Sequence, residues 1–194
     1  MNGRAVHLQR PVTLALHKPN GFVSTRKDPN ARDTVFDLVP AGLGRLFNIG
    51  RLDAQSEGLL LLTNDGELAQ RLTHPRYKIE KEYDVKLNRP WDPALNNRLL
   101  DGLFLDGQRA SVARIYSITP SHLRIVLRQG INRQIRRMFH QLGFEVKRLV
   151  RVRIGTLRLG DLPRGHWRLL TKHEIELLHQ ARDRRTRQSA DLKR

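Results

Sequence analysis

The sequence predicts an α+β fold in which a mixed, mostly antiparallel sheet is flanked by helices. Short apolar or alternating runs, typical of strands, recur along the whole chain. Two such runs, 111–119 and 122–128, are separated only by Pro120-Ser121, which predicts an antiparallel hairpin. The strand–helix–strand units that build parallel sheets are few.

The predicted strands follow from apolar patterning and from turn residues at their ends. Pro19 ends the first strand, and Asn20-Gly21 predicts a turn beyond which residues 22–25 continue it. Four consecutive leucines, Leu59–Leu62, predict a strand that is buried on both faces. In chain order, the predicted strands cover residues 12–19, 46–49, 59–62, 80–87, 111–119, 122–128, 145–154 and 166–170.

The predicted helices follow from capping signals. Asp92-Pro93 is typical of a helix start, and Thr171 with Glu174 forms a capping-box pattern. Asn132 is the predicted cap of the clearest helix, which Gly143 ends. The predicted helices cover residues 67–73, 93–100, 133–142 and 172–182.

The charge balance favours a polyanionic partner. The 194 residues include 36 Lys or Arg and 19 Asp or Glu, which gives a net charge of +17 and a pI near 11.4. Such an excess favours nucleic acid, and it outweighs the alternative that the chain is basic only for solubility. No apolar run reaches the roughly 18 residues that span a bilayer, no signal-peptide core is present, and there is no cysteine. These features predict a cytoplasmic protein that binds nucleic acid rather than membrane.

The predicted helix after Asn132 separates apolar from basic residues. Its apolar side comprises Ile135, Met138, Phe139 and Leu142, and its basic side comprises Arg133, Arg136, Arg137 and His140. Between Arg124 and Arg158 there are ten Lys or Arg and a single acid, Glu145. Because nearby acids that would neutralise these charges are missing, we expect a phosphate backbone to supply the anions.

Motifs for cofactors and metals are absent from the sequence. The stretch "GLGRLF" begins like a dinucleotide loop, but Phe47 stands at the third glycine position, and no phosphate-binding loop occurs. The histidines lack ligand spacing, and Ser56 lacks the flanking glycines of a nucleophile elbow. We therefore expect chemistry that uses ordinary side chains, with no metal and no cofactor.

A polar turn directly before the leucine run predicts a functional site. Four polar residues, Arg51, Asp53, Ser56 and Glu57, precede the leucines in "NIGRLDAQSEGLLLLTNDGELAQRL". A strand that only fills the core does not need these groups at its start, although Asp53 alone could equally cap a turn.

Four stretches in order resemble the RsuA-type ribosomal RNA pseudouridine synthases. "GRLDAQSEGLLLLTNDGELAQRLTHP" is similar to the Arg-Leu-Asp signature of that family, and "LALHKPNGFVSTRKDPNARDTVFDLVP" to its Lys-Pro-x-Gly segment. "KIEKEYDVKL" resembles the Lys-x-Tyr motif, and the stretch from "LRQGINRQIRRMF" to "HWRLL" resembles the basic motif and the closing strand. The resemblance covers Leu14 to Leu170 and implies the pseudouridine synthase fold, with an active-site cleft between two subdomains that share one sheet.

The resemblance implies an isomerase that needs no cofactor and acts on a uridine flipped out of the RNA stack. It makes Asp53 the catalytic carboxylate, as a nucleophile or a proton acceptor, and Tyr83 the residue that stacks on the base. Arg136 is the implied cation beside Asp53, with Arg137 or Arg133 as substitutes, because a half-buried carboxylate needs a neighbouring cation to stay ionised. By the same resemblance, Arg51 fills the gap that the flipped base leaves in the RNA. Lys81 is the motif neighbour of Tyr83, and Leu149 forms the apolar wall of the pocket.

The expected organisation is a tail over residues 1–11, a catalytic domain over 12–180 and a basic tail over 181–194. Because few residues precede the Lys-Pro-x-Gly segment, the chain resembles the shorter RluE-like members that lack an N-terminal RNA-binding module. The expected substrate is 23S ribosomal RNA, free or in an assembly intermediate, and the expected enzyme is a monomer. The alternatives are a small-subunit RNA substrate and a non-catalytic RNA-binding or ribosome-assembly factor on the same fold. A DNA-binding regulator is disfavoured because no helix-turn-helix pair is evident.

Overall fold

The computed structural model describes residues 10–26, 29–30 and 32–181, and within them the chain forms two sheets and four α-helices. The strands are β1 (Thr13–Lys18), β2 (Phe47–Ile49), β3 (Glu57–Thr63), β4 (Lys81–Leu87), β5 (Leu103–Leu105), β6 (Gln108–Ala110), β7 (Arg114–Thr119), β8 (His122–Leu127), β9 (Val146–Ile154), β10 (Leu157–Arg158) and β11 (Trp167–Leu169). The helices are α1 (Gly66–Thr73), α2 (Asn96–Asp101), α3 (Gln134–Gln141) and α4 (Lys172–Gln180). Short 3-10 turns cover Ala41–Leu43, Pro75–Tyr77 and Pro93–Leu95.

The large sheet is mostly antiparallel, as predicted. Its main strand order is β11-β1-β3-β9-β4-β8-β7, with β2 paired to β3 and β10 paired to β9. The parallel contact lies in the middle of the sheet, where Glu57 of β3 pairs with Val150 of β9 and Gly58 pairs with Arg151. Strands β7 and β8 form the predicted hairpin.

The four leucines of β3 are buried on both faces of the sheet, which confirms the prediction. Leu60 and Leu62 belong to the hydrophobic cluster that includes Phe139 of α3. Leu59 and Leu61 belong to the cluster on the other face, under α1 and α4. A central strand with no wet face provides a rigid base for the turn that precedes it.

Gly58 allows β3 and β9 to approach closely at their parallel contact. Its backbone has φ +105°, which L side chains rarely adopt, and a Cβ there would lie 2.3 Å from the carbonyl oxygen of Arg151. A glycine is therefore required at this position for the two strands to meet.

Several boundaries differ from the predictions for local reasons. The helix expected after Asn132 begins at Gln134, because Arg133 takes a left-handed conformation with φ 48° and is itself the N-terminal flanking residue; the prediction of Asn132 as the cap is wrong. Residues 22–25 form an isolated bridge, Val23 with Thr34, instead of a strand. The helix expected over 93–100 is split into a 3-10 turn and α2. The hairpin of β5 and β6 was not predicted.

The ends of the chain fall almost wholly outside the described residues. The predicted N-terminal tail, 1–11, is described only from residue 10, and the basic tail, 181–194, only at Ala181. Among the helices in the described ranges, none is long and apolar enough to cross a membrane.

Candidate active site

A cleft of about 270 Å³ opens above the parallel contact of β3 and β9. Its walls come from the turn before β3, from β4, from the segment that leads into α3, and from β9. Six of the eight residues predicted for the site line this cleft: Arg51, Asp53, Lys81, Tyr83, Arg133 and Leu149. Segments far apart in sequence thus meet at one place.

The turn formed by residues 51–56, called the RLD turn below, is held through its backbone carbonyls. Each of its six carbonyl oxygens accepts a hydrogen bond: Arg51 O from Arg151 Nη1, Leu52 O from Ser24 Oγ, Asp53 O from Ser56 N, Ala54 O from Gly21 N and Lys18 Nζ, Gln55 O from Arg136 Nη2, and Ser56 O from Lys18 Nζ. A loop held at every carbonyl is well suited to fix a reactive side chain in one orientation.

Asp53 lies at the mouth of the cleft, and its side chain is 33% exposed. Within the described part of the chain, the nearest cation is Arg133, whose Nη1 lies 4.0 Å from Asp53 Oδ2. The Arg133 side chain also donates to Gln55 Oε1 at 3.3 Å, so it spans the RLD turn. A carboxylate in this position keeps free oxygen atoms for a substrate.

Arg136 supports the RLD turn from behind and does not line the cleft. Its guanidinium donates to Gln55 O at 2.8 Å and to Val146 O at 2.7 Å. Burial and the neighbouring Arg133 lower the pKa of Arg136, and Asp53 counters that effect. The role expected of Arg136, a charge beside the carboxylate, stays a prediction.

Arg137 points to another part of the molecule. Its Nη2 lies 2.6 Å from Oδ1 of the exposed Asp106, in the turn between β5 and β6. Like Arg136, it borders a separate cavity beside the cleft. Of the three arginines considered as neighbours of Asp53, Arg133 is the one at ion-pair distance.

The remaining predicted residues form the walls of the cleft. Tyr83 is almost fully buried on β4, where it pairs with Arg151 of β9, and Leu149 is buried on β9. Arg51 is exposed at the rim, and Lys81 is half-buried at the start of β4. The cleft therefore has an aromatic and an apolar wall beneath a polar rim, as binding of a base requires.

Two buried cations beneath the RLD turn were missed by the sequence predictions. Lys18 is fully buried, its Nζ donates to Ser56 O at 2.7 Å and to Pro19 O at 2.9 Å, and burial lowers its pKa to about 8 although Asp53 and Glu57 oppose the shift. The sequence did offer a signal for a role of Lys18, because this lysine ends an apolar strand and belongs to the Lys-Pro-x-Gly segment.

Arg151 is the second missed cation, and it is only 1% exposed. Its Nε donates to Leu59 O at 2.7 Å and its Nη1 to Arg51 O at 3.3 Å, so it joins β3 to the RLD turn. Nothing in the basic pattern of residues 148–153 distinguishes this arginine from Arg148 and Arg153. The contact with Gly58 determines its position.

The expectation that the cations between Arg124 and Arg158 lack acidic partners is wrong for seven of the ten. Arg133 lies 4.0 Å from Asp53, and Lys147 pairs with the nearby Glu145. The other five were not expected to have partners from their local sequence. Their partners are sequence-distant acids that the fold brings alongside: Arg124 with Asp84 and Glu82, Arg128 with Glu80, Arg137 with Asp106, Arg148 with Glu57, and Arg153 with Glu80 and Glu82. The cleft differs, because its described lining includes four cations, Arg51, Lys81, Arg133 and Arg151, and one carboxylate, Asp53. Over the described ranges, no group of three His, Cys, Asp or Glu side chains could hold a metal ion.

Comparisons with known proteins agree with this geometry. A solved structure described as a pseudouridylate synthase superposes with a TM-score of 0.82 at 30% identity, covering 89% of this chain and 75% of that one. The ribosomal large subunit pseudouridine synthase B of Bacillus subtilis is 36% identical, over 94% of this chain and 78% of its own length. An uncharacterized RNA pseudouridine synthase of Aquifex aeolicus is 35% identical, over 92% and 76% of the two chains. The family model for RNA pseudouridylate synthases matches residues 12–141.

The chain belongs to the RNA pseudouridylate synthase family. The resemblance to RsuA-type enzymes and the predicted fold are thereby confirmed. The protein is a pseudouridine synthase, and the alternative of a non-catalytic factor is set aside. The matched range ends with α3, so it includes the RLD turn and Tyr83 and leaves out Leu149 and Arg151 of β9.

Proposed function

We propose that this pseudouridine synthase modifies a uridine of large-subunit, 23S ribosomal RNA. The observation that carries the proposal is the meeting of Asp53, Tyr83 and Leu149 in one cleft, where the charged lining residues besides Asp53 are all cations. The relative from Bacillus subtilis, which is named as a large-subunit enzyme, supports the choice of RNA. We further propose that the enzyme acts in the cytoplasm as a monomer and without a cofactor.

Asp53 is the proposed catalytic carboxylate. The isomerisation breaks the N1–C1′ bond of the uridine, rotates the base and forms a C5–C1′ bond, while a proton leaves C5 and a proton is gained at N1. No atom is added or lost, so no external donor or oxidant is needed. Whether Asp53 attacks the sugar or removes a sugar proton, it has to be ionised and close to the ribose.

The other residues of the cleft are proposed to hold the flipped nucleoside. Tyr83 stacks on the base, and Leu149 packs against it from β9. Arg133, 4.0 Å from Asp53, places a positive charge beside the carboxylate, and Arg136 maintains the carbonyl geometry of the RLD turn. Arg51, at the exposed rim, stacks in the gap left in the RNA, because a planar guanidinium can both stack and pair with phosphate. Arg137 is proposed to contact RNA from beside the cleft.

The decisive experiment maps pseudouridine in ribosomal RNA at single-nucleotide resolution. Unmodified large-subunit and small-subunit RNA are incubated with the wild-type protein or with Asp53→Asn, which preserves the shape of the side chain and removes its charge. We expect one site in the large-subunit RNA, and a fall in rate of ~10³-fold or more with the variant.

A matched control separates chemistry from folding. Asp101→Asn makes the same change at an exposed residue at the end of α2 and should retain the wild-type rate. Both variants should unfold at the wild-type temperature and bind RNA with similar affinity. Equal rates for Asp53→Asn and wild type would refute the assignment of Asp53, and modification of small-subunit RNA alone would refute the choice of substrate.

A further inference from the structure

A second, larger cleft adjoins the cleft that contains Asp53, which is called the catalytic cleft below. This side cleft has a volume of about 1080 Å³ and lies between the end of α1 with the following 3-10 turn and the segment from β6 to β7. Five residues border both clefts: Thr73, Lys81, Gln129, Gly130 and Ile131. A ligand that fills one cleft can therefore extend into the other.

The lining of the side cleft is suited to an anionic ligand with an apolar part. Lys78 and Arg109 are exposed at its rim, and Leu72, Ile79 and Val112 form buried apolar walls. The described residues that line the side cleft include no Asp or Glu. The cavity bordered by Glu80, Glu82, Arg114 and Arg153 contrasts with it, because cations and acids are paired there.

Lys81 lies where the two clefts meet. Its Nζ has one weak acceptor, Ile79 O at 3.5 Å, and no carboxylate of a described residue lies within 4.0 Å of it. Burial, with a smaller contribution from Arg151, lowers the pKa of Lys81 to about 8. A half-buried ammonium group without an anionic partner is stabilised by an anion brought by a ligand.

We propose that the side cleft binds the nucleotide next to the target uridine, and that Lys81 binds the phosphate joining the two nucleotides. This inference rests on the proposed function, since it assumes that an RNA strand enters the catalytic cleft. The adjoining base packs against the apolar walls, and Lys78 and Arg109 bind its outer phosphate. The enzyme thus reads two unstacked nucleotides rather than one.

The test uses an RNA hairpin that carries the uridine identified by the mapping experiment. Binding is measured with Asp53→Asn, which prevents turnover. The hairpin is made with an abasic residue at either neighbour of the uridine, or with an uncharged methylphosphonate at either flanking linkage. We expect an effect on one side of the target uridine only. On that side, the abasic residue should weaken binding about fivefold to 100-fold and the methylphosphonate about tenfold.

Substitutions of Lys81 test the phosphate contact. In the Asp53→Asn background, Lys81→Ala should abolish the methylphosphonate penalty, whereas Lys81→Arg, which keeps the charge, should retain it. If Lys81→Ala and the methylphosphonate each weakened binding and their losses of binding free energy simply added, the proposed contact would be overturned.

A charge-matched pair of double variants tests the side cleft itself. Lys78→Ala/Arg109→Ala should weaken binding about tenfold and reduce the slope of log Kd against log salt by roughly one to two. Lys86→Ala/Lys172→Ala removes two exposed cations that line neither cleft and should have less than about a threefold effect. Equal losses from the two pairs, or no effect of an abasic neighbour on either flank, would overturn the inference. The proposed function would survive that result, because it fails only if no pseudouridine forms in large-subunit RNA.

Discussion

Arginine side chains are concentrated in two regions, and those regions differ in the acids around them. On the surface of β4, β7, β8 and β9, four arginines contact acids near the start of β4; this paired arginine patch comprises Arg114, Arg124, Arg128 and Arg153 with Glu80, Glu82 and Asp84. In the cleft that contains Asp53, four cations belong to the lining, and among the described residues Arg133 is the one at ion-pair distance from Asp53, at 4.0 Å. The positive charge that remains unneutralised on this protein therefore depends on where the acids lie, more than on the number of arginines.

The largest effect is expected from removing a charge in the cleft. Arg133→Gln takes away the cation nearest to Asp53 and one contact across the RLD turn. We expect kcat/KM to fall about 100-fold, since electrostatic partners of reacting groups commonly contribute that much. Single-turnover formation of pseudouridine at increasing RNA concentration measures it. An unchanged rate would show that a cation in the cleft matters no more for activity than a cation in the paired arginine patch.

A change beneath the cleft should act through the backbone. Gly58→Ala would place a methyl group 2.3 Å from Arg151 O at a φ of +105°, so β3 and β9 have to separate. We expect the free energy of unfolding to fall by roughly 2–4 kcal/mol. Denaturant unfolding measures the loss, and Gly66→Ala, where nothing lies within 4 Å, is the matched control. Equal stability of the two variants would contradict the close contact.

The buried Lys18 should make stability depend on pH. Its pKa is about 8 in the folded protein and 10.5 in the unfolded chain, so the unfolded chain binds more protons between these values. Stability should therefore rise from pH 8 to pH 10.5, with Lys18 contributing up to about 3 kcal/mol to the rise. Denaturant unfolding at both pH values should show a smaller rise for Lys18→Met than for Lys86→Met, an exposed control. Parallel pH profiles of the two variants would rule this contribution out.

The smallest effect is expected in the paired arginine patch. Arg124 has a side chain that is 37% exposed and pairs with Asp84 at 2.8 Å. Arg124→Gln should lower the free energy of unfolding by less than about 1 kcal/mol and leave pseudouridine formation unchanged. A loss of activity as large as that of Arg133→Gln would show that the patch also binds RNA.

Several predictions that rested on local sequence were accurate. The four leucines, the β7–β8 hairpin and the capping box of Thr171 and Glu174 depend on neighbouring residues, and the structure has all three. The Asn132 cap failed because the left-handed backbone of Arg133 has no clear sequence signal.

The partners of the arginines could not be predicted, because they are set by strand pairing. Glu82 lies opposite Arg153 only when β4 pairs with β9, at a separation of 71 residues. The burial of Arg151 likewise depends on its contact with Gly58, far away in sequence. For the site, the sequence resemblance named six residues of the cleft and Arg136, but it did not name Lys18 and Arg151, the other two cations that hold the RLD turn in place.

The bonds to the carbonyls of residues 51–56 have a consequence for biosynthesis. The side chains that make them are separated from their acceptors by 28 residues at the least, for Ser24, and by 100 at the most, for Arg151. The RLD turn therefore makes its full set of contacts only after β9 has been synthesised and has paired with β3.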